Sequence, residues 1–483
     1  MTTNGTWLDT LNIWVDYIDN WVWGAPLIVS ILATGAILTI LLKLRHIKNL
    51  GPAFKNIFKD EDGSHGEVST FGSLCTALSA TIGTGNIVGV ATAIGTGGPG
   101  ALLWMEIAAL LGMATKYAEG LLAVKYREVT PSGKVLGGPF YYIEKGLGKK
   151  WKPLAIIFAI FGIGAGLLGI GTITQVHGIT SAVKNFLTNE CTCNLGSVTL
   201  LGVEYPLPIM VTGLIITIFV ALVTLGGLKR IAKVSSVIVP FMALFYFISC
   251  LLVLAFNFTE IPHAISVIIK AAFNPEAVTG GAVGSIFVAM QKGIARGIFS
   301  NEAGLGSAPI ASAAAKTNEP ARQGLVSMTG TFIDTIIICF MTGTVIVISG
   351  AWDASLNLQG VDITIEAFKR GLAIFGSFSS VIASLMVTIS LMFFAFTTIL
   401  GWNYYSEKCL EYLVGSNSRK TIIAFRILYV AMVFAGPYLT VSAVWGTADI
   451  MNGLMAFPNL IALLLLSPVV AKVSREYFSK KQR

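Results

Sequence analysis

The chain is 483 residues long, 54% hydrophobic and 12% charged, with a net charge of +8. Soluble domains carry about 25% charged residues, so most of this chain belongs in lipid, and repeated spans explain its length better than several soluble domains. Its basic residues fall in short loops and in the tail, which makes the positive charge a topology signal and leaves nucleic acid out as a partner.

Residues 1–22 contain Asp9, Asp16 and Asp19 but no Lys or Arg. They read as an extracellular N-terminus without a cleavable signal peptide. Residues 23–45 are apolar enough for an extra N-terminal transmembrane helix. Lys43, Arg45, His46, Lys48, Lys55 and Lys59 cluster at or just past its end, which places that end in the cytoplasm.

The segment from Phe71 to Ile94 is also apolar, yet it holds Gly83 and Gly85 beside Thr81, Thr84 and Asn86. Two close glycines weaken a helix by about 1 kcal/mol each relative to alanine, and polar groups in lipid need partners. The pattern predicts a broken helix lining a cavity, with close packing through Gly85-x-x-x-Gly89 as the alternative.

Gly95 to Gly100 turns the chain back into a span that ends near Lys125 and Arg127, and Gly137 to Leu147 reads as a short interfacial helix. One long span is expected from about Pro153 to Val183. A loop without Lys or Arg follows, and its Cys191-Thr-Cys193 is too isolated to define a metal site. Spans follow at Leu207 to Leu225 and Val234 to Phe256, then an amphipathic piece from about Pro262 to Ala272.

A second interrupted span, Val278 to Ala315, carries Ser300-Asn-Glu-Ala-Gly304-Leu-Gly306-Ser307. Spans are then expected at Gly324 to Ser349, Ser377 to Tyr405, Thr421 to Ala435 and about Asp449 to Val473, with a surface helix around Asp362 to Phe375. A basic cytoplasmic tail occupies 476–483.

The fold expected is thus an all-α integral membrane protein of about eleven transmembrane helices, N-terminus outside and C-terminus cytoplasmic. With the first helix set aside, residues 68–256 and 278–475 form two units of five, each opening with a broken helix of opposite direction. That is an inverted repeat, and paired interruptions are the sequence pointer to the binding site of a secondary transporter. An enzyme is discounted: His46, His65, His177 and His263 fall in loops or near helix ends with no dyad, and Gly83-Thr-Gly85 lacks the ending of a phosphate loop. A channel or an amino-acid sensor is the remaining rival.

The motifs carry a resemblance. Thr81-Ile-Gly-Thr-Gly-Asn86-Ile and Phe299-Ser-Asn-Glu-Ala-Gly-Leu-Gly306 are similar to the two unwound helices of the bacterial leucine transporter fold. Gly97-Gly-Pro-Gly-Ala-Leu-Leu-Trp104-Met105, Ser300 to Pro309, and Ala395-Phe-Thr-Thr-Ile-Leu-Gly-Trp402-Asn-Tyr404 resemble signatures of the alanine or glycine:cation symporter family. The likeness runs from Trp23 onward. It implies sodium-coupled uptake of alanine and/or glycine by alternating access, with H+ the less favoured coupling ion, in a protein expected to work as a monomer in the lipid bilayer.

On that resemblance, Thr84, Gly85 and Asn86 receive the substrate carboxylate at a half-helix N-terminus. Ser300 marks the helix end that faces the ammonium, and Phe299 forms an apolar wall. Gln175 adds a polar contact or ties two helices together. Sodium takes hard oxygen ligands. The hydroxyls of Thr397 and Thr398 with the carbonyls of Ser79 and Ile82 are the expected site, and back-bonding is the alternative for the Thr pair. A second sodium site would use Thr81, Asn86 and Ser300. Lys292, Arg296, Glu302 and Asp334 lie at comparable depth and read as a structural ion-pair cluster, with a proton path or an ammonium contact by Glu302 as the alternative.

Overall fold

A computed structural model describes residues 7–61, 63–131, 133–191, 196–200, 203–274, 286–415, 418–438 and 441–480. Cys193, the expected start of the second interrupted span at Val278, and the tail end Lys481 to Arg483 lie outside the described residues. Among the described residues the protein is nearly all helix, and its strands form two small hairpins, Glu128–Val129 with Val135–Leu136 and Ser197–Leu200 with Val203–Pro206. Nine helices there are long and apolar enough to cross a membrane, ten when a bent pair counts as one span.

The chain opens with α1 (Trp7–Val22) and α2 (Ala25–Leu41), so helix begins before the expected Trp23. The bent pair is α3 (Thr70–Thr81) and, after a π-turn at Gly85–Gly89, α4 (Val90–Gly97). Ser69 caps α3 by accepting from Gly72 N–H, satisfying one of the amides that a helix start leaves open. α5 (Gly100–Lys125) is almost wholly buried.

The expected single span from Pro153 to Val183 lies within one membrane-crossing stretch, Lys149–Asn189, which is interrupted into α6 (Lys152–Leu168) and α7 (Ile173–Asn189). Gly169-Ile-Gly-Thr172 breaks it. A Cβ on Gly171 would lie 2.6 Å from the Gly166 carbonyl and 2.7 Å from Trp402 Cβ. The Tyr429 hydroxyl reaches the freed Gly171 carbonyl at 2.6 Å. An opened turn costs little where a buried hydroxyl replaces the lost helical bond.

α8 (Leu207–Thr224), α9 (Leu228–Phe256) and α10 (Ile261–Phe273) lead to α11 (Ile286–Asn301) and α12 (Ala308–Ala313). These last two flank the second break. Among the described residues α11 is 16 residues long and is not one of the apolar spans. Beyond it come α13 (Pro320–Thr331), a π-segment Phe332–Cys339, α14 (Phe340–Ser349), α15 (Val361–Gly371), α16 (Ser379–Val414), α17 (Arg419–Ala435) and α18 (Val441–Lys480).

Burial separates an inner set from an outer one. α5 packs along α11 and α13, and α16 crosses α3, α6, α7 and α9. In α8, α9 and α17 the residues Leu222, Phe241 and Ile427 are exposed, as expected of helices whose outer faces meet acyl chains.

At one end the two broken helices are tied together. Val68 pairs with Ala315 as a parallel bridge. The Arg127 guanidinium donates to the carbonyls of His65, Ala313, Ala315 and Thr317 at 2.5–2.7 Å. Five rigid donors suit such a cradle, where lysine could not reach every acceptor.

Candidate binding site between the two broken helices

The first break begins where Ile82 leaves helical geometry (φ −75°, ψ 95°). Its open amides are taken by side chains: Gly83 N–H donates to Asn86 Oδ1 (2.9 Å) and Thr84 N–H to Gln175 Oε1 (3.2 Å). Gln175 therefore joins α7 to the break. Thr84 Oγ1 is buried with no partner among the described residues.

The second break needs backbone that most residues avoid. Glu302, Gly304 and Gly306 all have positive φ (56°, 88° and 81°), and two of the three are glycine for that reason. The two breaks touch. A Cβ on Gly85 would sit 3.1 Å from Ser300 Cα, 3.2 Å from its Cβ and 3.4 Å from Phe299 Cδ1.

Asp334 lies at this contact. Its carboxylate accepts from Asn86 Nδ2 (2.7 Å), Ser300 Oγ (2.8 Å) and Thr335 Oγ1 (2.8 Å). Thr335 in turn accepts from Asn301 Nδ2 at 3.0 Å. The wider turns of the π-segment set Asp334, Thr335 and Cys339 together on the buried side. Sequence reasoning left Asp334 out of the site, although a carboxylate within an apolar run is a functional-site signal in its own right.

The structure corrects the expected ion-pair cluster. Arg296 pairs with Asp449 on α18 at 2.8 Å and lies 5.6 Å over the Phe299 ring. Glu302 accepts from Trp402 Nε1 (2.8 Å) and Ser307 Oγ (2.6 Å), and Asp334 has the partners above. Comparable depth in the membrane does not make these groups one ion-pair cluster: among the described residues each is held by different partners.

Of the expected sodium ligands, Thr398 reaches the first break: its hydroxyl lies 3.3 Å from the Ile82 carbonyl and 3.0 Å from that of Phe394. A Cβ on Gly83 would sit 2.5 Å from that hydroxyl. Ser79 abuts α16 at Gly401, one turn along from Thr398, while its own hydroxyl bonds Thr76 O. Thr397 faces elsewhere, toward Met242 Sδ (3.3 Å), and back-bonds to Phe393 and Phe394. Thr81 back-bonds to Ala77 and Leu78 and lines a small cavity with Lys116 and Asn301. Asn86 and Ser300 do meet, through Asp334.

A profile of the sodium:alanine symporter family matches residues 8–483. The chain belongs to this family. It is 51% identical over 464 residues to an uncharacterized transporter of Haemophilus influenzae, covering 96% of this chain and 95% of that one. It is 46% identical over 470 residues to the sodium/alanine symporter AgcS of Methanococcus maripaludis, covering 96% of each. It is also similar, at 35% over 468 residues, to the probable sodium/glutamine symporter GlnT of Bacillus subtilis, covering 95% of this chain and 89% of that one. Membership in the sodium:alanine symporter family makes the protein a multi-pass amino acid transporter and not an enzyme.

In this member of the family a second polar layer supports the site. Glu119 of α5 accepts from Gly306 N–H (3.2 Å) and Asn459 Nδ2 (2.7 Å). Asn459 also donates to Gly304 O (2.9 Å) and accepts from the Tyr142 hydroxyl. Side chains of α5 and α18 thus replace the helical bonds that the second break gives up.

Proposed function

We propose that the chain couples sodium to the uptake of a small amino acid, alanine and/or glycine, by alternating access through the contact between its two breaks. In this reading residues 68–256 and 278–475 are two inverted units of five helices behind one extra N-terminal helix. The N-terminus is outside and the C-terminus cytoplasmic, as the placement of Lys and Arg indicates. The contact of Gly85 with Ser300 and Phe299 carries the reading, because it joins two interrupted helices around a buried carboxylate. The names of the family and of the AgcS relative support sodium and alanine.

A zwitterion in a low-dielectric site needs both charges met. The backbone from Thr84 to Asn86 receives its carboxylate at the start of the π-turn that leads into α4, with the Thr84 amide exchanging Gln175 Oε1 and the Asn86 amide exchanging Gly83 O for the substrate. Asp334 and the carbonyls around Ser300 receive its ammonium, with Phe299 as a wall. The close approach of the two breaks at Gly85 favours the smallest side chains. Alanine and glycine are therefore expected to compete in a binding assay, whereas leucine and phenylalanine are not, since overfilling a packed site costs about 1–3 kcal/mol. Inhibition by phenylalanine without inhibition by alanine would reverse this size assignment.

Sodium, carried as a co-substrate, is placed at the Thr398 hydroxyl with the carbonyls of Ile82 and Ser79. These are hard oxygens, as the ion requires. Thr398→Ala removes one ligand and little volume. Alanine titrations at several sodium concentrations, in detergent, are expected to show weakened alanine binding in the variant mainly at low sodium, because coupling between two ligands is reciprocal. Wild-type affinity independent of sodium would reject sodium as the coupling ion and bring H+ forward. A variant with wild-type sodium dependence would remove Thr398 from the ion site. Alanine accumulation in sealed vesicles under a sodium gradient separates a symporter from a channel or sensor.

A further inference from the structure

Lys116, in the middle of α5, is 2% exposed. Its Nζ has no hydrogen-bond partner among the described residues. A lysine in the middle of a membrane helix is costly and calls for a functional account. Burial works against its charge, whereas the fields of Glu119, Glu302 and Asp334 favour it. Each is already held by other donors, namely Gly306 and Asn459, Trp402 and Ser307, and Asn86, Ser300 and Thr335. Lys116 is therefore close to negative charge without being tied into an ion pair.

The side chain lines a cavity of about 10 Å³, together with Leu78, Thr81, Asn301, Ser312 and Gln323. Gln323 Oε1 is likewise buried without a partner. Such a volume holds about one water, and the two orphaned atoms supply a donor and an acceptor for it. The cavity lies in the seam between α3 and α12, on the Arg127 side of both breaks. The last turn of α3 borders it, and the negative end of that helix favours a fixed cation. The proposed sodium ligands, the carbonyls of Ser79 and Ile82, belong to the same helix end.

We propose that Lys116 is a fixed internal cation that bars the coupling ion from the polar seam between α3 and α12, so that sodium passes only when the seam opens as a whole. This inference rests on the sodium-symport reading above. A stray sodium ion entering the seam would meet an unpartnered acceptor in Gln323 Oε1. A fixed positive charge is a known means of excluding cations from a polar path through a membrane. It would act here by repulsion, without touching the substrate.

The test uses the full chain in sealed proteoliposomes, with radioactive sodium efflux measured in the absence of amino acid. Lys116→Met keeps the stem and removes the charge, and its leak is expected to rise on the order of a thousandfold, the effect of losing one unit charge about 4 Å from an ion at an effective dielectric of about 20. Lys116→Arg is expected to keep the wild-type leak. Gln323→Glu, which adds an opposing charge to the same cavity, is expected to raise the leak with Lys116 in place and covers the case of a Met variant that does not fold. A wild-type leak in Lys116→Met or Gln323→Glu, with alanine binding intact, overturns the proposal. So does an Arg variant as leaky as the Met one. Sodium-driven alanine uptake by the wild type in the same vesicles is the separate control: its absence rejects the coupling reading itself and not the role of Lys116.

Discussion

Gly85→Leu is expected to abolish alanine binding. Even a Cβ at this position would press on Ser300 Cα at 3.1 Å and on Phe299 Cδ1 at 3.4 Å, and the rest of the leucine has no open space between the breaks. Overpacking of this kind costs about 1–3 kcal/mol, and the added side chain would also block the approach of a carboxylate to the backbone amides. At about 1.4 kcal/mol per tenfold, the loss is on the order of a hundredfold or more in affinity. The clash is confined to the contact of two short breaks, so the variant is expected to purify as a folded protein. Calorimetric titration with alanine, alongside thermal unfolding in detergent, separates the effects. A stable variant with wild-type affinity would show that Gly85 serves packing alone.

Asp334 gives the second large effect, and two substitutions divide its roles. Asp334→Ala takes the carboxylate acceptor at 2.7–2.8 Å from Asn86 Nδ2, Ser300 Oγ and Thr335 Oγ1, while Asn86 Nδ2 keeps the residue 334 backbone carbonyl at 3.1 Å. A buried donor left unsatisfied costs about 1–3 kcal/mol, so with two hydroxyls losing their acceptor this variant is expected to lose a few kcal/mol of stability along with transport. Asp334→Asn keeps the shape and one acceptor oxygen but removes the charge. It is expected to fold with a small stability loss and to lose alanine affinity on the order of a hundredfold, since the ammonium would then lack its counter-charge in a low-dielectric site. Uptake and sodium dependence at wild-type levels in Asp334→Asn would show that the carboxylate only braces the two breaks.

Both experiments probe positions that differ in how far the sequence reveals them. Gly83, Gly85, Gly304 and Gly306 stand out because glycine pairs and polar groups contradict the apolar runs around them, and that contradiction is local. The break at Gly169 to Thr172 has a similar Gly-x-Gly with Thr172, Thr174 and Gln175 beside it, yet inside one long apolar run it reads as continuous helix. The hydroxyl that takes up the freed Gly171 carbonyl belongs to Tyr429, 258 residues away in sequence.

Spans, their apolar character and the two main interruptions were thus written in the sequence, since each depends on residues within about 20 positions of one another. Direction around a helix was not. Thr397 and Thr398 are adjacent, yet roughly 100° of helical turn sends one to Met242 and the other to Ile82. Asp334 meets Asn86 across 248 residues, and the π-segment alters which face of its helix turns inward. Arg296 pairs with Asp449 across 153 residues, when depth alone had suggested Glu302 or Asp334. Hydropathy measures depth, which is a property of the chain. The azimuth of each side chain, and hence its partner, was decided only by how the helices pack against one another.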